Sequence, residues 1–356
     1  MRSIIVTAVI AASALAGCSS TPPEPATSPS SSSAGPVTVR LLTHDSFALT
    51  EDLLTAFEQK TGITVEIVTG GDAGEVVNRA VLSAGKPEAD VLFGVDTTLL
   101  TRAVDAGVFD PYVSSEAASI RPELAELGQG VVTPIDDGDV CINVDDAWFA
   151  DKGLAPPATL DDLAKPEYRG LLVVENPATS SPGLAFLLAT VARYGDAWPA
   201  YWEKLRANDV QVDNGWEEAY LSTFTAGGGG GDRPLVVSYS TSPPAEIVYA
   251  ADPKPAKPST SVMSDGCYRQ VEFAGVLAGA AHPEAARQVV DWLLSPEVQA
   301  DVPLSMFVYP ARQGVELPDV FTKFVTRPTD PLELPAADVA AGRDAWIEQW
   351  TQTVLR

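Results

Sequence analysis

The sequence predicts an α/β protein of two lobes joined by two hinge crossings, and three observations predict it. Past Pro36, short β-branched runs alternate with amphipathic helical stretches over brief connections, which is the pattern of an open, parallel α/β sheet. The alternation comes as two sets, at about 37–106 and about 140–266, and the end of the chain supplies elements that complete the first. The roughly 320 residues after Pro36 also exceed a single ordinary core. The expected partition is 37–138 with 270–356, including the C-terminal helices, as the first lobe and 139–269 as the second.

Residues 37–42 alternate and are β-branched, predicting a strand that turns at His44-Asp45-Ser46-Phe47 into an amphipathic helix over 51–60. A strand at 64–68, a glycine-rich loop at 70–74, a helix at 75–84 and a strand at 89–94 leading into a helix at 97–106 follow. The second set has strands at 141–144, 171–175, 210–212 and 235–239 with helices between them. A returning strand at 268–277 precedes helices at 283–294, 296–300 and 336–351. Crossings between lobes fall near 139–144 and 267–273, so Cys141 and Cys267 could staple the hinge if those strands are neighbours. Ligands of open α/β sheets bind beyond the carboxyl ends of the strands, which places a site at the turns 44–47, 70–74 and 94–97.

The first 17 residues read as a lipoprotein signal: Arg2, a short apolar run over 4–12, then Leu15-Ala16-Gly17 ahead of Cys18. The run is too short to be a lasting transmembrane helix, and an acyl chain on the Cys18 thiol would anchor by apolar burial. Residues 18–36 are almost all Ser, Pro, Ala, Thr and Gly after the cysteine, a flexible tether too poor in apolar surface to fold. The expected location is extracytoplasmic, on the cell membrane through that lipid alone, as a monomer. There Cys141 and Cys267 would be a disulfide pair by default. A net charge of −25 argues against nucleic acid and favours a cationic ligand.

Two histidines, His44 and His282, leave little material for a histidine-based metal site or a Ser-His-Asp nucleophile, so no metal, cofactor or catalytic residue is expected. Gly227 to Gly231 lacks the Lys and Ser/Thr of a phosphate loop and reads as a flexible connection. Aromatic and acidic residues at strand ends remain: Asp45, Ser46 and Phe47 after the first strand, Asp96 after the third, Trp216 and Tyr220 at a helix start, Tyr239 with Ser240 and Thr241 at a strand end, and Phe307 and Tyr309 in Met306-Phe307-Val308-Tyr309-Pro310. Each aromatic face can attract an organic cation by about 0.5–2 kcal/mol. A carboxylate near 4 Å can add up to about 4 kcal/mol before desolvation. Trp198, Trp202, Trp292 and Trp346 sit at helical spacings and are expected to pack interiors.

Six segments in order carry a family resemblance: Asp45-Ser46-Phe47, Ala89-Asp90-Val91 through Asp96, Thr179-Ser180-Ser181-Pro182-Gly183-Leu184, Gly215-Trp216-Glu217-Glu218-Ala219-Tyr220, Ser238-Tyr239-Ser240-Thr241-Ser242-Pro243 and Tyr309-Pro310, with a tail from Leu334-Pro335-Ala336-Ala337 through Trp350. Over the chain from Val37 onward they resemble the thiamine-binding components of bacterial ABC importers, which are type II periplasmic binding proteins. The resemblance implies a ligand between the lobes, handed on to importer membrane subunits. It implies ring contacts from Trp216 and Tyr239, an acidic contact from Asp45, hydroxyls from Thr179 and Ser180, and backbone N–H groups from the loop Gly70 to Gly74, with Gly71 and Asp72, toward the hydroxyethyl end of thiamine or the phosphate of a thiamine phosphate. Two positions depart from the family: Ala245 stands where an aromatic is frequent, and Phe307 stands for a tryptophan. A polyamine binder and a thiamine-degrading enzyme with Cys141 as nucleophile are the competing expectations, whereas a ferric-binding protein would need a Tyr-Tyr pair that is absent.

Overall fold

The structure, a computed structural model, describes residues 37–356. The signal at 1–17 and Cys18 with its tether lie outside the described residues. The order is β1 (Val37–Thr43), α1 (Glu51–Thr61), β2 (Ile63–Thr69), α2 (Ala73–Leu82), β3 (Val91–Asp96), α3 (Leu100–Asp105), β4 (Thr133–Asp145), α4 (Asp146–Lys152), α5 (Leu160–Leu163), β5 (Leu172–Glu175), α6 (Ser181–Tyr194), α7 (Trp198–Ala207), β6 (Gln211–Asp213), β7 (Leu235–Tyr239), α8 (Pro244–Tyr249), β8 (Thr260–Val276), α9 (Pro283–Leu293), α10 (Pro296–Ser305), β9 (Tyr309–Pro310), α11 (Asp319–Phe324) and α12 (Ala336–Trp350).

Among the described residues one sheet runs β2-β1-β3-β8-β4-β7-β5-β6, with β9 on β4. β1 pairs in parallel with β2 and β3, and β5 with β6 and β7. The expectation of a parallel sheet is corrected at its centre, where β8 is antiparallel to β3 and β4, and β4 to β7. The reason is the crossings themselves: β4 takes the chain out of the first set and β8 brings it back.

Both crossing strands are longer than their apolar patches, because Asp136-Asp137-Gly138-Asp139 and Ser264-Asp265-Gly266, polar and glycine-bearing, lie within them. Asp136, Asp137 and Asp139 are all fully buried. Side chains alternate across a strand: Asp137 and Asp139 are matched by Arg121, Arg327 and Arg269, while Asp136 lies opposite Glu272 of β8. Cys141 and Cys267 are bonded, with Cα atoms 4.3 Å apart, and so staple the crossings.

The chain's end does more than complete the first set. Leu332 donates its N–H to the Cys267 carbonyl at 2.7 Å, running beside β8, and α12 packs on both α3 and α7. Its Trp350 is buried edge-on to Trp202 at 5.4 Å. Trp198 and Trp202 are interior, and Trp292 packs on Phe57. The Gly227 to Gly231 run does not hang free, since Gly227 and Gly229 donate to Phe224 and Leu221.

The disulfide closes a separation of 126 residues, for which chain entropy gives about 2–5 kcal/mol of stabilisation. Replacing both cysteines by alanine should lower the urea midpoint of the unreduced protein accordingly. An unchanged midpoint would show that the staple is not formed.

Candidate ligand-binding cleft

The turn after β1, the start of α2 and the carboxyl end of β8 meet Trp216, β7 and α8 around a cavity of about 480 Å³, within the usual size of small-molecule sites. Six aromatic residues line it: Phe47, Trp216, Tyr220, Tyr239, Tyr249 and Phe307. Five carboxylates, Asp45, Asp72, Glu217, Glu246 and Glu272, and His44 line it too, with no Lys or Arg.

Each wall has a local cause. Trp216 follows Gly215 at a helix start, where its N–H donates to Asp72 Oδ2 at 2.9 Å and its Nε1 to Ser238 Oγ at 2.9 Å. Its indole stacks on Tyr220 at 5.0 Å and 14°, above a small core of Val173, Ala219, Phe224 and Val236. Tyr239 lies over Gly138 of β4, where any Cβ would come to 3.0 Å from the ring. Gly94 of β3, at φ +94°, does the same for His44, since a Cβ there would lie 2.3 Å from the imidazole.

Glu272 on the floor belongs to a row of carboxyl groups on neighbouring strands, with Asp96 opposite it on one side and Asp136 on the other, both outside the cavity lining. Burial, then the charge of Glu272, push Asp136 well above the usual carboxylate range. Burial alone would raise Glu272 too, but His44, 3.4 Å away, and the Asp136 proton outweigh it and hold Glu272 below its ordinary value. Burial opposes a charged His44, yet Glu272, with Asp72 and Asp45 beyond it, leaves the imidazole raised. Asp96 is pushed up to about 6 by burial, against hydrogen bonds from Thr98 and Gln270. Burial, then the nearby carboxylates, raise Tyr239, which stays a neutral phenol.

Asp72 also joins the two sets, for its Oδ1 accepts the Ser181 N–H at 3.0 Å while Oδ2 holds Trp216. Beside it the Glu75 N–H donates to the Thr179 carbonyl at 3.1 Å.

Residues 86–325 match the family model described as bacterial extracellular solute-binding protein. The chain belongs to that family. This solute-binding protein is similar to the thiamine-binding periplasmic protein of Escherichia coli (strain K12), 32% identical over 302 residues, 85% of this chain and 87% of that one. It is 31% identical over 319 residues to the thiamine-binding periplasmic protein of Salmonella typhimurium, covering 88% of this chain and 92% of the relative. A solved periplasmic thiamin binding protein superposes with a TM-score of 0.78 at 30% identity, over 90% of this chain and 96% of that one. The fold is thus that of type II periplasmic binding proteins.

Of the residues singled out from sequence, Asp45, Ser46, Phe47, Asp72, Trp216, Tyr220, Tyr239 and Phe307 line the cavity of the solute-binding protein, and seven do not. Gly71 spends its carbonyl on the Asp45 N–H and shapes the turn. Asp96 is tied down below the floor by Thr98 and Gln270. The Thr179 hydroxyl donates to the Asn214 carbonyl at 2.6 Å, and Ser180 caps α6 by accepting the Gly183 N–H. Ser240 and Thr241 are buried behind Tyr239. Tyr309 sits in β9 under the Arg327 guanidinium at 4.5 Å. Residues missed by sequence reasoning include His44, Glu217, Ser242, Tyr249 and Glu272. Glu217 and Ser242, inside recognised segments, and His44, in the turn 44–47 expected at the site, carried a signal.

The raised His44 dictates a pH dependence. Stability from its charged pair with Glu272 is fully present below about pH 6.5, the ordinary histidine value, and is lost as pH rises through the higher folded-state value. Thermal melts of wild type and His44→Gln should therefore differ most at acid pH and converge at alkaline pH. A gap that widens with rising pH would refute the charged pair.

Proposed function

We propose that the chain captures thiamine between its lobes outside the cytoplasm and delivers it to the membrane subunits of an ABC importer. The observation that carries this is the cavity's make-up, six aromatic residues and five carboxylates with no basic side chain but an imidazole already paired to Glu272. Such a site suits a flat cation, with Trp216, Tyr220 and Tyr239 for rings and Asp45 and Glu217 for charge. The lobes are 37–138 with 270–356, and 139–269, an assignment supported by β4 and β8 passing between two sets of strands. The thiamine-binding relatives matched over most of the chain support the same ligand.

Anchoring through a lipid on Cys18 is part of this reading and rests on the sequence of the first 18 residues. Among the described residues no helix is long and apolar enough to cross a membrane. No reaction is assigned to the site: Cys141, the residue an enzyme reading would use, has its sulfur committed to Cys267.

Mass spectrometry of small molecules copurifying with the chain should find thiamine, and calorimetry should give tighter binding of thiamine than of spermidine. Trp216→Ala and Asp45→Ala should each weaken thiamine binding more than tenfold, or about 1.4 kcal/mol. Unchanged affinity would remove that residue from the site, and a preference for spermidine would replace thiamine by a polyamine. Cys18→Ser should move the protein from the membrane fraction to the soluble one; retention on the membrane would refute the lipid anchor.

A further inference from the structure

We propose that Tyr249 is the outer wall of the ligand cage and makes the cleft prefer a flat aromatic cation to an aliphatic one; the inference rests on the thiamine reading. Tyr249 ends α8 and lines the cavity while 71% exposed, so a large phenol stands in water at the mouth with most of its surface free to be covered. One helical turn earlier Ala245 lines the same cavity with only a methyl group. The face that α8 turns to the cavity is therefore small inside and large outside. This leaves room for a flat ring beneath Tyr249.

Two features place the ring. Glu246, on the same helix, accepts hydrogen bonds from Ser259 and Thr260 and pins α8 to the start of β8. Phe307 meets the Tyr249 ring at 5.6 Å, and Phe307 is itself stacked at 6.2 Å and 18° on the buried Phe321. Phe307 has φ +55°, a left-handed conformation that an aromatic residue adopts only when its surroundings hold it there. The three rings form a ladder from a buried anchor to the mouth, and the stack of Trp216 on Tyr220 lines the same cavity. The carboxylates attract any cation. The gap between inner and outer rings rewards only a ligand with two flat faces.

The test titrates thiamine and spermidine by calorimetry into the full chain as wild type, Tyr249→Ala and Tyr249→Phe, with thermal melts to confirm that the exposed substitution leaves the fold intact. Tyr249→Ala should weaken thiamine about tenfold, equivalent to about 1.4 kcal/mol, and spermidine less than twofold. Tyr249→Phe should restore thiamine to within threefold of wild type. Thiamine affinity untouched in Tyr249→Ala, or equal losses for both ligands, overturns the role given to Tyr249 and leaves the thiamine reading standing. A wild-type protein that takes no thiamine overturns that reading and this inference with it.

Discussion

The cleft hangs on the antiparallel pairing of two long strands. β4 and β8 run side by side from one lobe into the other, and their register puts Asp136 opposite Glu272 and brings Cys141 beside Cys267. A slip of one residue would turn every side chain of a strand to the opposite face. Asp137 and Asp139 would then lose Arg121, Arg327 and Arg269 and enter the cleft, while Asp136 would go to the arginine side. Unpaired buried charge costs several kcal/mol, so the ionic match on the back of the strands and the carboxyl row on the front fix the same register. The disulfide closes the arrangement covalently.

Given that register, the charge of the site follows by subtraction. Burial and Glu272 favour the neutral form of Asp136, Glu272 is matched by His44, and Glu246 is engaged by Ser259 and Thr260. The carboxylates left for a ligand are Asp45 and Glu217, with Asp72 spent on two backbone N–H groups. At an effective dielectric near 20, a carboxylate about 4 Å from a cation is worth about 4 kcal/mol before desolvation. Two such groups with stacked rings suit a flat organic cation.

Much of this was legible in the sequence. The alternation of elements pointed to two sets of strands, β7 matched the expected 235–239 residue for residue, and the cavity aromatics Phe47, Trp216, Tyr220, Tyr239 and Phe307 stood out as aromatic residues at element ends. What could not be read depends on distant partners. Asp136-Asp137-Gly138-Asp139 has the composition of a turn, and only arginines at 121, 269 and 327 make it a strand interior. Ser180, Thr179 and Asp96 have the chemistry of ligand contacts, but a helix cap, a carbonyl and a nearby threonine claimed them first. Tyr249 was invisible because nothing local separates an exposed tyrosine at a helix end from one at the mouth of a cleft.

The acids that remain also explain how a bound cation could close the lobes. Asp72 reaches across the cleft to the Ser181 and Trp216 N–H groups, yet burial outweighs those bonds and leaves its carboxyl raised. Glu217 is raised as well, by burial and then by Asp45. Closing an empty cleft therefore crowds negative charge that solvent would otherwise screen, and the backbone bonds of Asp72 are offset by its desolvation. To move lobes from mostly open to mostly closed, a ligand must favour the closed state by about 5.5 kcal/mol. A cation placed between Asp45 and Glu217, the acids without such bonds, would offset the repulsion that opposes closure.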